Sequence, residues 1–155
     1  MISYTKTKPY ADLLLFLGIL LFLFGLLIGL FIPLMTNPRM GLSAHLEGTM
    51  NGMFLDILGL IWHKLLLKEK WLTTAFWLSM YGSFANFSAV TLSAITGAGK
   101  MMPIAGGKEG NPVVEVLISS LLISLSLAML VVCIIVLAGL YKNMKQIPSA
   151  SRIAD

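Results

Sequence analysis

The sequence has few charges and almost no cysteine. Its 155 residues include eleven basic and seven acidic side chains, together 12% of the chain, and one cysteine, Cys133. A single cysteine cannot form an internal disulfide, and it offers no cysteine pair to zinc or to an iron–sulfur cluster. We therefore expect Cys133 to be a small buried hydrophobic side chain. The two histidines form no two-histidine zinc motif, and no serine nucleophile with a histidine base is visible.

Long hydrophobic segments make up most of the chain instead. Hydrophobic residues account for 57% of it, and a mean hydropathy of +0.89 excludes a soluble domain of this length. Each of four segments exceeds the roughly 20 residues that cross a bilayer as a helix. They span residues of about 12–34, 43–67, 71–96 and 113–141. The sequence predicts an all-α integral membrane protein, one domain over residues 1–155, folded as an up-down bundle of four transmembrane helices.

The first hydrophobic segment resembles a signal peptide only superficially. It is longer than a signal-peptide core and lacks a convincing small-residue cleavage site. We therefore expect it to be retained as a helix that starts near Tyr10.

Basic residues are distributed unevenly between the two ends of these segments. In an up-down bundle, eight of the eleven fall at one end and three at the other. The larger group is Lys6, Lys8, Lys64, Lys68, Lys70, Lys142, Lys145 and Arg152, and the smaller group is Arg39, Lys100 and Lys108. The positive-inside rule then predicts that both termini are cytoplasmic, with the protein in a bacterial inner membrane. Because this asymmetry explains the net charge of +4, that charge implies no nucleic-acid partner.

The second segment is unusually polar for a transmembrane helix. His45, Glu47, Asn51 and Asp56 lie within twelve residues. Such side chains are costly at membrane depth, so they usually face a protein interior and indicate a functional site. At about 100° per residue, His45 and Asp56 share a stripe with three glycines, whereas Glu47 and Asn51 share another face.

Two interpretations of these faces stay open. The glycine stripe, which includes Gly48 and Gly52, allows close approach either of a neighbouring helix or of a flat ligand. A monomer could bury both polar faces between its own helices. An oligomer could instead use one face in each of two neighbouring subunits.

Other polar residues have simpler explanations. Asn86, in the third segment, suits a structural hydrogen bond as well as a substrate contact, and Tyr81 lies within reach of the same helical level. His63 is roughly 27 Å from His45 along an ideal helix, so the two cannot bind one metal within a chain, and we expect His63 to be solvated at the membrane rim. Glu115 is expected to be a solvated first-turn acid.

The connection between the third and fourth segments is glycine-rich but is not a phosphate-binding loop. It runs from residue 97 to residue 110, has no Gly-Lys-Ser/Thr ending and follows no strand. It is expected to be a flexible connector or a lid over the outer mouth of the bundle.

A single membrane histidine restricts the metal chemistry that is available. It is insufficient for a stable bare metal site. It suffices as the proximal ligand of a haem, because the porphyrin supplies four nitrogens and leaves the opposite face of the iron open.

The region around this histidine resembles a known family. The stretch Asn37-Pro38-Arg39-Met40-Gly41-Leu42-Ser43-Ala44-His45-Leu46-Glu47-Gly48-Thr49-Met50-Asn51-Gly52 is similar to the signature region of hydroxylaminobenzene mutases. Ala44-His45 followed by Asn51-Gly52 is also similar, more distantly, to styrene oxide isomerase, and Ala85-Asn86 resembles another shared element.

This resemblance implies a small four-helix membrane isomerase with haem b between the subunits of a homotrimer. It makes His45 the iron ligand and Asn51 the group that binds the substrate oxygen, with a small aromatic substrate. The epoxide isomerase has a catalytic tyrosine four residues after the asparagine of helix three, where this chain has Val90. That departure favours the mutase branch.

Six further site residues complete the hypothesis. Glu47, Asn86 and Tyr81 are candidate catalytic residues, Gly48 and Gly52 would seat the cofactor, and Arg39 would pair with a haem propionate. The predicted reaction converts an arylhydroxylamine into an aminophenol, with the iron as a Lewis acid. The alternatives are an epoxide-to-aldehyde isomerase and a non-enzymatic haem-binding or electron-transfer membrane protein. A small transporter is a further alternative, although the sequence shows no internal repeat.

Overall fold

The computed structural model describes residues 4–103, 106 and 108–146, and all regular secondary structure in these residues is helical. Four long helices, α1 to α4, span Tyr4–Phe31, Pro38–Ile61, Glu69–Thr96 and Pro112–Gln146. Short 3-10 turns at Ile32–Leu34 and Trp62–Lys64 follow α1 and α2. The prediction of an all-α chain with four helices is confirmed. Of the basic residues used for topology, Arg152 lies outside the described residues.

Several predicted helix ends are wrong. The helix α2 ends at Ile61 rather than near residue 67, α4 continues to Gln146 rather than ending near residue 141, and two helices start earlier than predicted. The first helix begins at Tyr4 rather than near residue 12 or Tyr10, and it includes Pro9. The second begins at Pro38 rather than near residue 43, because a proline at the first helical position needs no N–H partner. Asn37 caps this start, where its Oδ1 accepts the Met40 N–H at 3.2 Å.

The helices pack mainly in chain order: α1 against α2, α2 against α3, and α3 against α4. The closest approach is between α1 and α2, at glycines. A Cβ added to Gly48 would lie 2.5 Å from the Gly25 Cα, and one added to Gly52 would lie 2.7 Å from the Gly18 carbonyl oxygen. Small residues permit such contact between helix backbones. The glycine stripe of α2 therefore packs against a neighbouring helix.

The buried core is concentrated toward the end of the bundle where α2 meets α3. Its members include Leu14, Leu55, Trp62, Phe76 and Ile135. This cluster joins residues of all four helices, so it fixes their relative positions and leaves the opposite end more open.

Many large apolar side chains lie on the outer surface of the bundle, as expected for contact with lipid. Phe16, Leu30 and Ile134 are each at least 66% exposed. Cys133 is exposed on the same surface of α4, so the expectation of a buried cysteine is wrong. Two helical spans, Lys8–Leu34 and Pro112–Lys145, are long and apolar enough to cross a membrane. These features are consistent with a membrane protein.

Candidate functional site

A cavity of about 680 Å³ lies in the gap between α2 and α4, with α3 behind it. Residues of three helices and of the loop after α3 surround it. Its lining residues are Arg39, Met40, Leu42, Ser43, Glu47, Asn86, Val90, Met101, Met102, Pro103 and Leu122. The wall is mainly apolar and has a few polar groups, which is typical of a site for a small organic molecule.

Glu47 and two asparagines form the polar part of this site. Glu47 Oε2 accepts hydrogen bonds from Asn51 Nδ2 at 3.1 Å and from Asn86 Nδ2 at 2.5 Å. Glu47 and Asn86 line the cavity, whereas Asn51 is half-buried behind Glu47 and is not a lining residue. The structure therefore brings together three of the four predicted catalytic residues, and the face shared by Glu47 and Asn51 is the one that faces α3.

The second carboxylate oxygen of Glu47 is in a different situation. Glu47 Oε1 accepts no hydrogen bond from any of the residues that the structure describes, and this atom is not fully buried. A carboxylate oxygen is an acceptor only, so this atom is open to a hydrogen-bond donor.

The apolar part of the cavity wall includes Val90. This side chain is 4% exposed, and it packs with Met40 against Ala44 and Ala94. Valine offers no hydrogen bond, so at this level of α3 the wall is purely hydrophobic.

His45 lies on the other side of α2, toward α1. Its Nδ1 is 2.9 Å from the Gly25 carbonyl oxygen. Because a carbonyl only accepts, this contact assigns the proton to Nδ1 and leaves the lone pair on Nε2. Nε2 has no hydrogen-bond partner in the described part of the chain, and the residue is half-buried. A histidine held in this way through one nitrogen is a typical metal ligand through the other.

The helix α1 packs against the remaining residues of this stripe. Gly48 and Gly52 contact the Gly25 and Gly18 backbones, as described above. Asp56 lies on the same side, and its Oδ1 is buried without a hydrogen-bond partner among the described residues. Within one chain, α1 therefore covers the glycine surface of α2, so a flat cofactor has no room to lie on it.

The described residues contain no cluster of three or more histidine, cysteine or acidic side chains that could hold a metal ion. A metal at His45 would therefore need ligands from another source. The four nitrogens of a porphyrin are such a source, so the donor set fits haem better than a bare ion.

Arg39 lies at the start of α2 and is exposed. It borders the large cavity and also a second cavity of about 310 Å³, which Gly97 and Lys108 help to line. Its charge therefore faces the mouth of the site, on the side from which an anionic group would approach.

Tyr81 and His63 lie away from this cavity. The Tyr81 hydroxyl is 2.6 Å from Ser124 Oγ, which links α3 to α4, and its ring is 42% exposed. Tyr81 is not a lining residue, so its catalytic role stays a prediction. His63 is exposed in the turn after α2, as predicted.

Sequence reasoning was wrong about Glu115. This residue is only 7% exposed, and its carboxylate accepts the N–H groups of Gly99, Lys100 and Gly110 at 2.9 to 3.3 Å. These hydrogen bonds hold both ends of the loop between α3 and α4 against the start of α4. The available signal was an acid in the first turn of a helix that follows a glycine-rich loop, because such loops present many free N–H donors.

The loop itself forms part of the cavity wall through Met101, Met102 and Pro103. Ile104, Ala105 and Gly107, which belong to the predicted lid or connector, lie outside the described residues. On the solvent side, Lys100 forms an ion pair with Glu109 at 2.9 Å, and this hydrogen bond raises the pKa of Lys100 and lowers the pKa of Glu109.

The chain is similar to known proteins over almost its whole length. A family model described as styrene oxide isomerase matches residues 10–141. Hydroxylaminobenzene mutase HabB of Ectopseudomonas oleovorans is 54% identical over 134 residues, which cover 85% of this chain and 82% of that protein. Hydroxylaminobenzene mutase HabA of the same organism is 45% identical over 127 residues, covering 81% of this chain and 94% of that protein. No solved structure matches the chain.

Proposed function

The chain belongs to the styrene oxide isomerase family and is an enzyme of the isomerase or mutase type, and from that membership we propose its reaction. The proposed reaction is the conversion of an arylhydroxylamine into an aminophenol by intramolecular transfer of the hydroxyl group. The observation that carries this proposal is the 54% identity to a hydroxylaminobenzene mutase over a region that includes the entire cavity lining.

A second candidate is the isomerisation of an epoxide to an aldehyde, which the name of the matching family favours. The cavity wall argues against it. The resemblance implies a tyrosine at the position of Val90, and this valine lines the cavity without any hydrogen-bonding group. An epoxide oxygen accepts hydrogen bonds and donates none, so it would gain no partner from Val90 or from the Glu47 carboxylate.

We further propose that His45 holds haem b through Nε2. The support is the contact of Nδ1 with the Gly25 carbonyl, which orients the ring and leaves Nε2 without a partner in the described structure. When bound, haem iron would supply a Lewis acid for cleavage of the N–O bond. Gly48 would act indirectly, because its close contact with Gly25 keeps that carbonyl near His45.

Other residues of the chain would bind the substrate and the cofactor. The resemblance implies that Asn51 donates to the substrate oxygen, and its amide keeps one proton that Glu47 does not take, although within one chain Asn51 lies behind Glu47 and does not line the cavity. Arg39, at the cavity mouth, would pair with a haem propionate. The apolar wall around Val90 would exclude water and hold the aromatic ring.

His45 and the Glu47 cluster lie on opposite faces of α2, so a site that contains both takes them from two chains. We therefore propose a homo-oligomer, with a trimer as implied by the resemblance. The gap between α2 and α4, where the cavity lies, is where a neighbouring subunit could complete the wall.

All four helices are proposed to span the inner membrane of a bacterium, with both termini cytoplasmic. Support comes from the exposed apolar side chains on the outer surface of α1 and α4 and from the excess of basic residues near the turn after α2. A hydrophobic aromatic substrate could then reach the cavity from the lipid phase.

The test uses purified protein in detergent. Phenylhydroxylamine should be converted to an aminophenol, styrene oxide should react much more slowly, and a Soret band should be present. His45→Ala should remove the band, while His63→Ala, which alters the exposed histidine, should retain it. Failure to convert either substrate, with haem bound, would overturn the proposed reaction. A fixed bis-histidine spectrum without turnover would instead support an electron-transfer protein.

A further inference from the structure

Glu47 lines the cavity, and its two carboxylate oxygens differ in their partners. Asn51 and Asn86 both donate to Oε2, from α2 and from α3. This double contact fixes the side chain, because two amides on different helices hold the same atom. Oε1 is left without a partner among the described residues, although Glu47 lines the cavity.

The hydrogen-bonding character of the cavity follows from this arrangement. Glu47 Oε1 is an acceptor, whereas Met40 and Val90 in the same wall offer no hydrogen bond. The lining also includes Arg39, at the mouth, and Ser43, whose hydroxyl already donates to the Arg39 carbonyl. The amide nitrogen of Asn86 is already directed at Glu47. Inside the cavity, a ligand with N–H or O–H groups therefore satisfies Glu47, and a ligand without donors leaves it unpaired.

We propose that Glu47 Oε1 selects the substrate by accepting a hydrogen bond from it. This inference rests on the proposed function. It names the feature by which the site distinguishes an arylhydroxylamine, which has N–H and O–H donors, from an epoxide, which has none.

The first experiment measures binding to the unaltered protein by calorimetry in detergent. The probes are 2-aminophenol, which has N–H and O–H donors, and 2-methoxy-N,N-dimethylaniline, which has the same ring and no donors. We expect the donor ligand to bind about tenfold tighter or more. Equal affinity would overturn the selection by Glu47. No variant is required, so the result does not depend on the folding of a mutant.

The second experiment repeats the binding with Glu47→Gln. Glutamine can keep its carbonyl toward Asn51 and Asn86, and it then presents an N–H₂ donor to the cavity. The preference for 2-aminophenol should disappear, and binding of styrene oxide should become tighter. Glu69→Gln makes the same chemical change at an exposed acid near the start of α3 and should leave both affinities unchanged. An unchanged preference in Glu47→Gln would contradict the inference.

These outcomes are separable from the proposed function. If the unaltered protein converts neither phenylhydroxylamine nor styrene oxide, the proposed reaction fails. The two binding experiments would then still decide whether Glu47 recognises donor-bearing ligands. If the unaltered protein is active and Glu47→Gln keeps its preference for the donor-bearing ligand, the inference alone fails.

Discussion

His45 and Glu47 are two residues apart in the sequence but point to opposite sides of α2. His45 Nδ1 contacts the Gly25 carbonyl of α1, while Glu47 Oε2 accepts from Asn86 of α3. The backbone of α2 lies between them. One subunit therefore cannot place a ligand of His45 and a ligand of Glu47 in the same space, and a reaction that uses both requires a second chain.

The first prediction is that two inactive variants restore activity to each other. In a ring of subunits, a site that takes His45 from one chain and Glu47 from its neighbour stays intact when the first chain is Glu47→Gln and the second is His45→Ala. In a trimeric ring that contains both variants, about one site in three stays intact. Coexpression of the two variants with different tags should therefore recover turnover of phenylhydroxylamine in the doubly purified complex.

The control for this experiment is His45→Ala coexpressed with the double variant His45→Ala/Glu47→Gln. Neither chain then has His45, so the complex should stay inactive. If the two single variants copurify as one complex and show no activity, both residues act within the same chain, and the shared site is wrong.

The second prediction concerns the close contact of α1 with α2. In Gly48→Val, the new side chain would meet the Gly25 backbone, which cannot move aside as a flexible side chain does. The free energy of unfolding should fall by about 2 kcal/mol or more, and the haem content should fall with it because His45 loses its orienting carbonyl. Thermal unfolding in detergent and the Soret absorbance measure the two effects.

Gly99→Ala is the matched control. A Cβ at Gly99 would be 3.8 Å from Ser93 Oγ, an ordinary contact, so stability and haem content should be unchanged. Full haem binding by a stable Gly48→Val protein would show that His45 needs no support from α1.

Periodicity predicted the division of α2 into two faces, because 100° per residue separates His45 from Glu47 whatever the neighbours are. It did not predict that Asn86 would contact Glu47, since that contact depends on the rotation of α3 against α2. The role of Glu115 was missed for a similar reason. Its hydrogen bonds follow the path of a loop, and hydropathy reports only which residues enter the membrane.

The third prediction tests the apolar wall at Val90. Val90→Tyr introduces a larger ring and a hydroxyl donor into the cavity. We expect turnover of phenylhydroxylamine to fall about tenfold or more and turnover of styrene oxide to rise, because an epoxide oxygen gains a donor. Val90→Phe, which adds the ring without the hydroxyl, should reduce the first activity without increasing the second. Loss of both activities in a folded Val90→Tyr protein would contradict a donor role for this position.

The fourth prediction concerns topology. Single cysteines at Lys64, Lys108 and Lys145, in a Cys133→Ser background, should react differently with a thiol reagent that does not cross membranes. In intact cells that have a permeabilised outer membrane, Lys108→Cys should be labelled, and Lys64→Cys and Lys145→Cys should be labelled only after lysis. Labelling of Lys145→Cys in intact cells would contradict a cytoplasmic carboxyl end.

The fifth prediction concerns the loop that closes the cavity. Glu115 accepts three backbone N–H groups from this loop, and Met101 and Met102 of the same loop form part of the cavity wall. Glu115→Ala removes the acceptor of all three N–H groups, so the loop should separate from α4 and the wall should open. We expect KM for phenylhydroxylamine to rise about tenfold while kcat changes little, because Glu47 and Asn86 keep their contacts on α2 and α3.

Limited digestion with trypsin measures the opening directly, since Lys100 and Lys108 lie in this loop. Cleavage should be faster in Glu115→Ala than in the unaltered protein. Glu109→Ala removes an exposed acid whose ion pair with Lys100 lies on the solvent side, and surface pairs of this kind contribute little to stability. Its KM and digestion rate should therefore stay close to those of the unaltered protein. A lower kcat with unchanged KM in Glu115→Ala would instead connect Glu115 to the chemical step rather than to the cavity wall.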